Sequence, residues 1–300
     1  MRKRDRRGLT RVFKEDLLGG KLAGLLEAVK HDYTLCLEIR EGYINVYYRG
    51  GCLFKVIPGY TFDFDKKYFG AGGWPFVKPV TIEEWLAAIP DLKTAMDSYF
   101  LKHPKAEREV QQMILRDNTN TPVANGIDYF ITDIEYAGQG FRFDMVAAKW
   151  LAKDRKRGDQ ARLAIIEVKY ADKSLGGDAG LYKHMQDVIA LLESEDKLCK
   201  LIEETNMLAN QKRALGLFPK MKHNKNEIAI PKERREIELI FVLVNTNPRS
   251  SKLEDVLAEI RKDRLIHRLN ELNCTLLLAK ASYMGYGLYA DCMEEIKAEI

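Results

Sequence analysis

The chain has 300 residues, 46% of them hydrophobic and 31% charged, with 48 Lys+Arg against 44 Asp+Glu for a net charge of +4. These proportions exclude a disordered, collagen-like or low-complexity chain. The near-balanced charge excludes a histone-like polycation, so any contact with nucleic acid must use local basic patches.

At this length one elaborated domain or two are expected. No apolar run approaches the roughly 18 residues that a membrane span needs, and the basic start Met1–Arg7 has no apolar stretch behind it. Neither a membrane partner nor a secretory signal is therefore expected. The cysteines Cys36, Cys52, Cys199, Cys274 and Cys292 are odd in number and widely spaced, with no C-x-x-C. That pattern argues against a disulfide framework or a zinc ribbon and points to a cytoplasmic, reducing setting.

Residues 15–30 predict an amphipathic helix, with Leu17, Leu18, Leu22, Leu25, Leu26 and Val29 at helical spacing. The period then changes to two. Leu35, Leu37 and Ile39 form one strand, Ile44, Val46 and Tyr48 a second, and Cys52, Phe54 and Val56 a third. Gly-containing turns separate them, which predicts an antiparallel meander. Tyr60, Phe62 and Phe64 extend it toward a fourth strand, and Gly70–Pro75 is a loop. Thr81-Ile82-Glu83-Glu84 reads as a helix start with a capping box.

A different order follows His103-Pro104. Residues 105–116 are helical, with Ala106, Val110, Met113 and Ile114 on one stripe. Strands are predicted over 127–136 and 141–149, joined as a hairpin, and a third over Ala161–Tyr170. The third is apolar almost to its end, which implies burial on both faces. Helices over 179–194 and on to about 214, a basic loop over 215–235, a buried strand over 236–245, a helix over 252–270 and a strand over 273–280 complete the chain. The expected division is an N-terminal α+β module over 1–100 and a second domain over 101–300. The fold class is α/β, a mixed sheet flanked by helices.

Two stretches carry chemistry. Phe141-Arg142-Phe143-Asp144-Met145-Val146 puts an aspartate inside a strand, where it is disfavoured. Ile165-Ile166-Glu167-Val168-Lys169-Tyr170 ends the most hydrophobic strand with a carboxylate and an amine. Strand side chains alternate, so Glu167 and Lys169 point the same way. Buried charges are costly unless they are paired or hold a cation. Asp144 and Glu167 on neighbouring strands can supply the one or two carboxylates that Mg²⁺ or Mn²⁺ takes, with the Val168 carbonyl as a third ligand. Lys169 beside them can position the attacking water and offset phosphate charge.

Asp144 followed after 22 residues by Glu167-Val168-Lys169 resembles the PD-(D/E)XK nuclease superfamily. The order helix, three strands, helix, strand over residues 104–246 resembles that superfamily's restriction-endonuclease-like core. Phe143 stands where the motif often has proline. The resemblance implies a metal-dependent endonuclease acting on DNA, in restriction, repair or defence. It further implies that Glu107, on the first core helix, joins the metal site, with Glu109 as its rival. It implies too that Gln186, four residues after Tyr182, contacts substrate.

Lys149, Lys153 and Arg155 lie in a basic cluster between the two carboxylate-bearing strands, a fitting place for phosphate contacts. Other basic clusters are Lys220–Arg235 and Arg261/Lys262/Arg264/Arg268. His184 is expected at the surface. The chain has no G-x-x-x-x-G-K-[ST], G-x-G-x-x-G or H-E-x-x-H. Two other readings keep the same core: a nucleic-acid-binding module without catalysis, and an RNA- or structure-specific nuclease. A homodimer or a partner protein fits the N-terminal module.

Overall fold

A computed structural model describes residues 7–72, 77–119, 126–218, 227–233, 236–247, 249–281 and 287–298. The basic start up to Arg6, loop positions 73–75, and Lys220, Lys222, Lys225, Arg234 and Arg235 lie outside the described residues. The chain forms two compact units, one of Met1–Arg116 with Gln211–Phe218, the other of Asp117–Asn210 with Pro219–Ile300. Residues 101–116, grouped by sequence with the second domain, fall in the first unit.

The first unit opens on two short helices, α1 (Arg11–Gly19) and α2 (Ala23–His31). The sequence predicts one helix there. Gly20 ends the first, its extended backbone sending its N–H back to the Asp16 carbonyl. A side chain at Gly20 would lie only 2.6 Å from the Asp16 carboxylate, so the break needs glycine. Four strands follow, β1 (Leu35–Ile39), β2 (Ile44–Tyr48), β3 (Gly51–Ile57) and β4 (Thr61–Asp63), antiparallel and in sequence order. Next come α3 (Ile82–Ala87), α4 (Ile89–Lys102) and the first part of α5 (Ala106–Thr119). The capping box is formed: Glu84 N–H donates to Thr81 Oγ1 at 3.2 Å and Thr81 N–H to Glu84 Oε2 at 3.1 Å. Phe54, Phe62 and Trp85 make the aromatic core, with Phe62 stacked on Trp85 at 5.4 Å.

Every residue of β1 is buried, so this strand is covered on both faces. Leu35, Leu37 and Ile39 alternate with Cys36 and Glu38 along it. The Gln211–Phe218 segment belongs with this unit, and Lys212 Nζ meets Glu38 Oε1 at 2.6 Å. Both side chains are at most 2% exposed. Leu9 and Gln211 fix the segment with a reciprocal pair of hydrogen bonds, 2.9 and 3.0 Å.

The second unit holds β5 (Tyr129–Gly138), β6 (Phe141–Lys149), β7 (Arg162–Tyr170), α6 (Leu181–Leu192) and most of α7 (Glu195–Ala214). It continues through β8 (Ile237–Val244), α8 (Lys252–Lys262), α9 (Leu265–Glu271), β9 (Cys274–Ala281) and β10 (Glu294–Glu295). Its six-stranded sheet runs β10-β9-β8-β7-β6-β5. Strands β5, β6 and β7 are antiparallel neighbours, β7, β8 and β9 run parallel, and β10 is antiparallel at the edge. The molecule is therefore mixed α/β, with helices flanking the sheet. The single helix predicted over 252–270 is two, because Arg264 takes a left-handed backbone (φ 56°) between α8 and α9. Among the described residues no helix is long and apolar enough to cross a membrane.

Candidate active site

β6 and β7 pair from Lys149↔Arg162 to Met145↔Ile166. The next residues in that register are Asp144 and Glu167. Here side chains replace the backbone ladder. Val168 N–H donates to Asp144 Oδ2 at 2.8 Å, and Asp144 N–H donates to Glu167 Oε1 at 3.3 Å. Each carboxylate takes an amide of the opposite strand. β7 stays regular on its other edge, with Glu167 opposite Phe241 and Lys169 opposite Leu243. The Val168 N–H points toward β6, and its carbonyl, on the same edge of the strand, points that way too.

Glu167 is fully buried and Lys169 is 3% exposed. Lys169 Nζ lies 3.8 Å from Glu167 Oε2. His184, on α6, brings Nδ1 to 3.3 Å from the same oxygen. The expected surface position of His184 is thus corrected: it is largely buried, at 17% side-chain exposure. Leu181, His184 and Val188 share one helix face, and Leu181, Met185 and Val188 are buried. That i, i+3, i+7 stripe is the signal by which sequence could have placed the histidine inward.

Burial, and then the negative charge of Glu167, push the Asp144 carboxyl up to about 7. Burial, and then the positive charge of Lys169, push His184 down to about 4. The imidazole is neutral at physiological pH.

The structure thus brings Asp144, Glu167, Val168 and Lys169 together and adds His184. Within the second unit, Tyr182, Gln186, Lys149, Arg155 and Lys153 lie elsewhere. Tyr182 hydroxyl donates to Asp263 Oδ2 at 2.6 Å, and Gln186 is exposed beside Asp263 and Arg264 in a groove along α6. Both therefore face α8 and α9, because they are offset from His184 around the helix. Lys149 is five residues from Asp144 on the same strand, about 16 Å away. Its Nζ pairs with Glu238 at 2.6 Å. Arg155 packs on the Phe130 ring at 5.0 Å and donates to the Trp150 carbonyl at 3.1 Å, which ties the loop to itself. Lys153 is exposed on a short helical turn of that loop. Glu107 is half-buried on the part of α5 that belongs to the first unit.

β7 leaves the sheet through Ala171, whose φ of 60° and ψ of 162° lie in a region otherwise reserved for glycine. Its N–H is held by the Val244 carbonyl at 2.8 Å, which fixes the strained turn just past Lys169. Ala171→Gly is expected to raise stability by about 1 kcal/mol, net of glycine's entropic cost. Urea denaturation checks this, and an unchanged or lower midpoint would count against strain at this residue.

Among the described residues no group of three or more His, Cys, Asp or Glu is arranged to hold a metal ion. The donors on hand are two carboxylates and one backbone carbonyl. That all-oxygen set suits Mg²⁺ or Mn²⁺, which take one or two carboxylates and complete their shell with water and phosphate oxygens. The charge of Glu167 also opposes ionisation of Asp144, a repulsion that a divalent cation relieves as well as a proton does. The residues fit such an ion. Comparison of the chain with family models, with curated proteins and with solved structures gives no match, so the function is argued from this geometry alone.

Proposed function

We propose that the second unit is a Mg²⁺- or Mn²⁺-dependent nuclease that hydrolyses phosphodiester bonds, with DNA as its first substrate class, on a restriction-endonuclease-like fold. One observation carries this reading. Asp144 and Glu167 face each other where the β6–β7 ladder ends, each held by an amide of the opposite strand, with Lys169 on the same face. A strand pair built only for stability has no need of a buried and a half-buried carboxylate facing each other at that point.

When bound, the divalent ion supplies a water of lowered pKa and neutralises charge on the phosphate. The chain's own residues do the positioning. The Asp144 amide holds Glu167 Oε1 and so orients the carboxylate, with Lys169 Nζ at 3.8 Å and His184 Nδ1 at 3.3 Å from Oε2. The Val168 amide does the same for Asp144. The Lys169 ammonium supplies a positive charge beside the scissile phosphate and orients the attacking water. His184, neutral, brings Nδ1 to 3.3 Å from Oε2 and adds no charge. The mechanism uses only residues of the second unit. Glu107 is left out of it, and the first unit is assigned substrate recognition or self-association.

The test is cleavage of duplex, single-stranded and branched DNA, and of RNA, by the full chain with Mn²⁺ or Mg²⁺. Metal-dependent cleavage is expected, falling at least about 10²-fold in Lys169→Ala. Cleavage in Lys169→Ala equal to wild type would end the assignment. Binding of nucleic acid without cleavage in any metal would favour the non-catalytic module.

A further inference from the structure

We infer that the turn between α8 and α9 forms a pocket for the phosphate group of a nucleotide, separate from the carboxylate site. The cavity is about 410 Å³. Arg261, Lys262, Arg264 and His267 line it, with Ala258 and Ala298 as small apolar contacts. Among the described residues no Asp or Glu lines it. Its volume lies in the range of small-ligand sites and exceeds what a bare phosphate needs, so the phosphate would arrive on a larger body.

The contrast with the cavity at the N-terminal ends of β7, β8 and β9 is what gives this pocket meaning. That cavity, about 480 Å³, also contains cations. Each of those is neutralised: Lys149 by Glu238 at 2.6 Å and Arg162 by Glu236 at 2.9 Å. In the α8–α9 pocket, the Lys262 and Arg264 side chains make no hydrogen bond or ion pair among the described residues. Two cations facing one concavity repel each other, and an anion placed between them removes that repulsion.

Arg264 also occupies a left-handed backbone conformation that costs a side-chain-bearing residue energy. Backbone hydrogen bonds at 2.9 Å to Arg261 and at 3.0 Å from Arg268 lock it there. This fixed turn places the Arg264 guanidinium at the pocket. That group is suited to two-point recognition of phosphate oxygens. His267 adds a ring nitrogen. Arg264 and His267 also line the neighbouring groove that runs to Gln186, and this gives the remainder of a nucleotide a place to lie. In that groove Arg268 is already bridged to Glu193 at 2.7 Å and to Glu271 at 2.8 Å.

The nucleotide can be free or part of a strand, and the experiment separates the two. Binding of adenosine diphosphate and of a 12-nucleotide single-stranded DNA is measured by calorimetry at low salt. Divalent metal is omitted, so that the result does not depend on cleavage. The full chain is compared with Lys262→Gln/Arg264→Gln and, as a control for bulk charge, with Lys66→Gln/Lys105→Gln in the other unit. The pocket variant should bind at least one probe about tenfold or more weakly than wild type. For the DNA, the slope of log K against log salt should fall by about 0.7 per cation removed. Loss confined to the diphosphate identifies a free nucleotide, and loss confined to the strand identifies a nucleic-acid backbone. The inference is overturned if wild type binds neither probe, if the pocket variant matches wild type for both, or if the control loses as much as the pocket variant.

Discussion

Under the proposed nuclease function, Asp144→Asn is expected to abolish cleavage and, in the absence of metal, to make the protein more stable at pH 8. The second half of that result is the more telling. The native carboxyl sits at about 7 against an ordinary value of 3.8. Between those two pH values the native state keeps a proton that the unfolded chain has released. Stability therefore falls as pH rises from about 4 to about 7, and the full deficit persists above 7. Asparagine cannot ionise, and it still offers an oxygen to the Val168 amide. The gain in Asp144→Asn should thus be near zero at pH 4 and level off above pH 7. At about 1.4 kcal/mol per pKa unit it amounts to a few kcal/mol at most. Urea denaturation of both proteins in chelator at pH 4.5, 6 and 8 measures it. A variant that is less stable at pH 8 would show that the carboxylate is held for structure. Added Mg²⁺ should stabilise wild type and leave the variant unmoved, because only a state that binds the ion gains from it. Stability withheld from the empty native state and returned by a ligand is the thermodynamic mark of a functional group.

Lys212→Met should destabilise the first unit by about 3–5 kcal/mol, a large part of the 5–15 kcal/mol of a typical domain. Glu38 and Lys212 are at most 2% exposed and 2.6 Å apart, so removing the amine takes this positive charge away from a buried carboxylate. Glu38→Leu with Lys212→Met removes both charges and should return to within about 1–2 kcal/mol of wild type. The double-mutant cycle, read by urea denaturation, separates the pair from its packing. If the single variant loses less than about 1 kcal/mol, the two side chains are wetter than their burial shows.

Much of this architecture is readable from local periodicity. The alternation of Leu35, Leu37 and Ile39, and of the two strands after it, foretells the meander, and Thr81 with Glu84 foretells the capping box formed at α3. Glu167 and Lys169 are legible as a buried pair because charge at the end of an unbroken apolar strand stands out. What local patterns miss is long-range. Nothing near Lys212 announces that its partner is Glu38, 174 positions away. The break at Gly20 has a visible sign in its doubled glycine. The break at Arg264 has none, since arginine is an unexpected occupant of a left-handed position. His184 was obscured by its polar neighbours Lys183 and Gln186, although Leu181, Met185 and Val188 mark its face as inward. The basic cluster at 149–157 follows the strand that carries Asp144. A strand has two ends, however, and the carboxylate and the cluster take opposite ones.

The first unit closes only when residues 211–218 join it. During synthesis, the 94 residues from 117 to 210 emerge between the two parts of that unit. At roughly 5–20 residues per second, the ribosome takes about 5–20 s to make them. Throughout that interval the nascent meander lacks the strip of chain that carries the lysine for Glu38. The meander therefore leaves the ribosome well ahead of the segment that completes its unit, and the first unit matures only after residues 211–218 emerge.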